Sequence, residues 1–90
     1  RAHLNLAGAL WGLGQRKDAV KEARLASRLD NDDINAHLTL ATFLTAQGLY
    51  EEAKTHAQIV LILDPGNLQA RRLLNRIERK MKAENPESSP

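Results

Sequence analysis

Residues 49–67 read LYEEAKTHAQIVLILDPGN, and the stretch thirty-four residues upstream, 15–33, reads QRKDAVKEARLASRLDNDD. In the first, Ala53, Ala57, Val60 and Leu61 recur in steps of three and four, the spacing of one helix face, up to an Asp-Pro-Gly-Asn stop. The residue before a proline is pushed out of helical geometry, so the helix cannot pass Asp64. In the second, Ala19 and Ala23 take the places of Ala53 and Ala57, and Leu29-Asp30 those of Leu63-Asp64, with Asn31 where Pro65 stands. The two stretches are one helix written twice.

The repetition extends upstream. Sliding the chain by 34 matches Ala2, His3, Leu4, Leu6, Ala7, Leu10, Gly14, Ala19, Ala23, Leu29 and Asp30 to identical residues, 11 identities in 33 pairs. Chance matching of about 6% per pair would give about 2. Each copy holds two helical periods separated by a glycine. Gly14 and Gly48 suit the left-handed residue that ends a helix, because no Cβ opposes that conformation. Asp33 and Asn67 stand where the next helix must begin, and their side-chain oxygens can take its free amide hydrogens. Small residues at Ala7, Ala41, Ala19 and Ala53 allow close approach of neighbouring helices. A hairpin of this kind leaves one apolar face open, and stacking another hairpin on it completes the core. The expected fold is all-α, a stack of antiparallel helical hairpins with about five helices.

Composition bounds what such a chain can do. Ninety residues make one small domain with a thin core. No apolar run approaches the roughly 20 residues of a membrane-spanning helix. The chain opens at Arg1 on residues that already read as helical, which predicts a piece of a longer chain. The absence of Cys excludes a thiolate nucleophile and fits a reducing compartment without requiring one. Residues 71–82 carry six basic side chains against Glu78, a net of +5, whereas residues 1–70 sum to 7 − 8 = −1 and the last eight contribute −2. The positive balance therefore sits in one segment. There Ala70, Leu73, Leu74, Ile77 and Met81 share an arc of about 100°, with Arg72, Arg76, Arg79 and Lys80 on another.

Taken together, these residues resemble the tetratricopeptide repeat. Residues 34–67 carry the resemblance through Leu40-Ala41, Leu44, Gly48, Tyr50, Ala53, Val60, Leu63 and Asp64-Pro65, and residues 1–33 through Leu6-Ala7, Leu10, Gly14, Ala19, Ala26, Leu29 and Asp30. Departures are His3 and His37 where the family often has Trp, Ala23 and Ala57 for an aromatic, Arg16 for Tyr and Asn31 for Pro. The organisation expected is a repeat at 1–33, a second at 34–67, a basic capping helix at 68–82 and a disordered polar tail at 83–90.

The resemblance implies protein recognition, with stacked first helices lining a concave groove that receives a peptide or a helix. Transferred to this chain, the groove is lined by Leu4, Gly8 and Trp11, then Leu38, Thr42 and Thr45, then Arg72, Arg76 and Arg79, apolar at one end and basic at the other. A partly acidic segment is the complementary ligand. A family specialisation clamps a chaperone's C-terminal carboxylate with Lys and Asn; here Leu4, Gly8 and Thr39 or Thr42 stand near those places, which argues against that clamp. The plain alternative for the basic stripe is a solvated helix end that favours its dipole. Contact with nucleic acid through the +5 helix is a second class, weakened because none of Trp11, Phe43 and Tyr50 lies in the basic segment to stack a base. A third is a homodimer formed through the open face of the first helix.

Catalysis has little support. Asp32-Asp33 and Glu51-Glu52 sit at helix starts, where they favour the dipole, and no serine has a nucleophile setting. His3, His37 and His56 lack a four-residue pair and read as structural rather than metal-binding. No cofactor is expected.

Overall fold

The computed structural model describes residues 2–84; of the tail expected at 83–90, Ala83 and Glu84 instead continue the last helix, and the rest lies outside the described residues. Five α-helices follow in order: α1 (Ala2–Gly12), α2 (Arg16–Leu29), α3 (Ile34–Ala46), α4 (Tyr50–Leu63) and α5 (Leu68–Glu84). No strand occurs among the described residues. Helices α1 and α2 form hairpin 1, α3 and α4 hairpin 2, and α3 also packs on α2 while α5 packs on α4 and α3.

Local chemistry sets the helix limits. Gly14 and Gly48 have φ of 84° and 80°. Around them Gly14 N–H reaches the Trp11 carbonyl at 3.0 Å and Gln15 N–H the Leu10 carbonyl at 2.9 Å, repeated by Gly48 to Thr45 at 3.1 Å and Leu49 to Leu44 at 2.9 Å. That pair of bonds satisfies carbonyls the ending helix leaves free. The Asp33 carboxylate accepts the Ala36 N–H at 3.2 Å, and the Asn67 side-chain oxygen accepts the Ala70 N–H at 2.9 Å, so α3 and α5 begin on side-chain caps. Helices α2 and α4 have no side-chain cap but carry Asp18, Glu51 and Glu52 in their first turns.

The core runs along the stack. Ala7, Ala19, Ala41 and Ala53 are fully buried, so the helices approach closely where they meet. Leu40, Leu44, Val60 and Ile77 are the largest fully buried side chains, each contributing about 1.5–3 kcal/mol by leaving water. Repeat symmetry exposes an asymmetry of cover. Leu40 on α3, a helix packed between α2 and α4, is fully buried, whereas its counterpart Leu6 on α1 is 47% exposed.

Polar links cross the stack. Arg24 of α2 pairs with Glu52 of α4, joining the hairpins. His3 Nδ1 lies 2.8 Å from Glu22 Oε1, and at the equivalent place in hairpin 2 His37 Nδ1 lies 3.0 Å from His56 Nδ1. Tyr50 at the start of α4 faces Glu84 in the last turn of α5; burial, followed by the nearby Glu84 carboxylate, raises the phenol above its usual pKa. Among the described residues no buried side-chain nitrogen or oxygen lacks a partner.

Candidate ligand groove

A cleft of about 500 Å³ opens between α3 and α5. Its floor is apolar: Phe43 and Leu73 are 8% and 7% exposed, and Leu38 is half-buried beside them. Asn35, Thr39 and Thr42 form the α3 wall, and Gln69, Arg72 and Arg76 the α5 wall. Among the described residues no carboxylate lines it. Arg72 and Arg76 are exposed, and among the described residues the ion pairs are those of His3 with Glu22 and Arg24 with Glu52, so no acid within 4 Å offsets either arginine. Two guanidinium forks beside neutral amides and hydroxyls favour an anion.

The floor is braced from hairpin 1. Trp11 stacks on Phe43 with ring centroids 4.2 Å apart and planes 1° from parallel, and the Arg16 guanidinium lies 5.0 Å from the Trp11 ring centroid. A second depression, between α1 and the α2–α3 loop, is lined by Leu4 together with Asp30, Asp32 and Asp33, and Asn35 borders both. Two of these acids are already engaged, Asp33 in capping α3 and Asp30 in accepting the Asp32 N–H at 3.1 Å.

The residues expected to line a groove are thus distributed unevenly. Leu38, Thr42, Arg72 and Arg76 share the α3–α5 cleft; Leu4 lies in the neighbouring depression; Trp11 is half-buried against Phe43. Thr45 is 8% exposed and donates its hydroxyl to the Ala41 carbonyl at 2.7 Å, which leaves it beneath the surface. Arg79 is exposed farther along α5, outside the cleft lining. Asn35, Phe43, Gln69 and Leu73, none of them expected in the groove, complete the lining together with Thr39, which was named only in connection with the carboxylate clamp. Asn35 and Gln69 are themselves 34 residues apart, so the repeat register carried a signal for that pair.

The family described as Fis1 C-terminal tetratricopeptide repeat matches residues 38–85, 48 of the 90 residues. The chain belongs to the tetratricopeptide repeat family. Solved tetratricopeptide domains agree. The first such domain of Spaghetti (RPAP3), bound to the HSP90 peptide SRMEEVD, superposes with a TM-score of 0.82 at 28% identity over 88% of this chain. The second domain of human RPAP3, in complex with the HSP70 peptide SGPTIEEVD, gives 0.77 at 33% identity over 84%. The Arabidopsis OM64 domain gives 0.79 at 24% over 87%, a likeness of fold alone. The chain spans 63%, 63% and 64% of the lengths of these three. No curated protein sequence matches it significantly.

Proposed function

We propose that this tetratricopeptide segment is a protein-recognition module whose α3–α5 cleft holds a peptide or helix carrying an acidic side chain next to an apolar one. The observation that carries the reading is the cleft itself, an apolar floor of Leu38, Phe43 and Leu73 beneath two arginines that pair with no acid among the described residues. The peptides held by the two RPAP3 domains contain Glu-Glu beside Val, which supports an acidic and apolar ligand class. Capture of a free C-terminal carboxylate does not carry over as readily, because Leu4, Gly8, Thr39 and Thr42 supply neither ammonium nor side-chain amide. An internal acidic segment fits better.

Titration of SRMEEVD, of the same peptide extended by two glycines and of a generic oligonucleotide, each at low and moderate salt, tests this. The expected result is comparable binding of both peptides and loss of both in a chain carrying Arg72→Glu and Arg76→Glu. Binding that requires the free terminus would overturn the internal-segment reading. Binding of the oligonucleotide alone, falling steeply with salt, would replace peptide recognition with phosphate contact.

A further inference from the structure

His37 and His56 point their Nδ1 atoms at each other across hairpin 2, 3.0 Å apart, with ring centroids 5.2 Å apart and planes inclined by 24°. A third group fixes where the hydrogens lie. His37 Nε2 is 2.8 Å from the Asn31 carbonyl oxygen, and a carbonyl only accepts, so Nε2 carries a hydrogen. Neutral His37 then presents a lone pair at Nδ1, and His56 must supply the Nδ1–H that fills the gap. The resting arrangement is a relay of two hydrogen bonds from α4, through α3, to the loop between the hairpins.

Acid acts on this relay in two unequal steps. A first added proton can settle on His56 Nε2, leaving both bonds in place and making the central one charge-assisted. A second has only His37 Nδ1 to bind, where it would set N–H against N–H around a residue that is 4% exposed. The surroundings oppose even the first. Burial, then His37 from α3, then Arg24 from α2, whose own partner is Glu52 of α4, hold the His56 imidazole below its usual pKa. In the unfolded chain both rings titrate near about 6.5. Unfolding in mild acid therefore takes up a proton that the folded His56 resists, and stability falls as pH drops below that value.

We propose that the His56–His37–Asn31 relay is an acid-sensitive latch: it stays closed with at most one added proton, and a second breaks its His56–His37 bond and parts the start of α3 from α4, while His37 Nε2–H still donates to Asn31. The latch belongs to hairpin 2 alone. At the equivalent place in hairpin 1 the partner of His3 is Glu22, and protonating that imidazole creates an ion pair instead of a conflict. The first turns of α3 also carry Asn35, Leu38 and Thr39 of the cleft, so an open latch loosens one of its walls. That last consequence rests on the cleft's role in binding; the latch itself does not.

Urea unfolding of the whole chain between pH 7.5 and 5, with His56→Asn and His3→Asn beside it, tests the latch. An Asn amide places a donor near the position of His56 Nδ1 without titrating. For each proton withheld by the fold, the unfolding constant rises up to about tenfold per pH unit below 6.5. That rise shrinks in His56→Asn and persists in His3→Asn. An identical pH slope in the original chain and His56→Asn, or an equal flattening by His3→Asn, would overturn the latch. Imidazole nitrogen NMR on the unmodified chain decides the matter even if His56→Asn does not fold. The latch requires His37 to hold its Nε2–H tautomer and the pair to bind fewer than two protons down to pH 5; ordinary titration of both rings rejects it.

Discussion

Trp11 and Phe43 lie face to face at 4.2 Å between centroids, so the aromatic floor of the α3–α5 cleft is backed by a side chain from hairpin 1. The stack makes one hairpin responsible for the shape of a cleft formed by others. Trp11→Leu retains apolar bulk but removes the ring contact, which is worth about 0.5–1.5 kcal/mol beyond area burial. A loss of stability in that range by urea denaturation is expected, with weaker peptide binding although Trp11 does not line the cleft. Unchanged binding in a folded variant would show that Phe43 holds its place unaided.

Arginine reversal separates binding from folding. Arg72 and Arg76 are exposed and carry no ion pair to a described residue, so replacing either by Glu leaves the core untouched. Surface changes of this kind stay within about 0.5 kcal/mol of stability. Affinity for an acidic peptide should fall at least tenfold on reversing both, by fluorescence titration through Trp11. Reversing Arg79, outside the lining, should weaken binding far less and mainly through salt-screened attraction. Equal losses from all three positions would indicate a diffuse positive field in place of a cleft.

Features governed by near neighbours were legible in the sequence, and features governed by the stack were not. Gly14, Gly48, Asp33 and Asn67 act on backbone groups within five residues, so their spacing alone announced the turns and caps. Trp11, Thr45 and Arg79 occupy one repeat position, yet they are half-buried, buried and exposed respectively. Three first helices with different neighbours on either side cannot expose the same position equally, and register arithmetic contains no term for cover. The histidine relay was hidden for another reason. His37 and His56 are 19 residues apart on different helices, where no helical period applies; only His3 and Glu22, at the same separation in hairpin 1, share the relation.

The difference in cover can be measured directly. Leu40 is fully buried and Leu6, its repeat counterpart, is 47% exposed. Leu40→Ala should cost about 2–5 kcal/mol, the range for removing a buried leucine side chain without full collapse of the cavity. Leu6→Ala should cost much less, under about 1 kcal/mol, because its lost area is already half in water. Similar losses at both sites, in dilute chain shown to be monomeric by sedimentation, would mean that the α1 face is covered in solution.

Gly48 offers the most local test. Its φ of 80° lies in the left-handed region, and a Cβ built there meets no atom within 4 Å. Any penalty for Gly48→Ala is therefore backbone strain alone, about 1–2 kcal/mol for a left-handed residue with a Cβ. Asn tolerates this conformation better, so Gly48→Asn should recover part of the loss. The order Gly, then Asn, then Ala in thermal midpoint is the expected outcome. An alanine as stable as glycine would show that the turn relaxes to negative φ, and the Leu49 N–H bond to the Leu44 carbonyl, 2.9 Å in this structure, would then be lost from amide exchange protection.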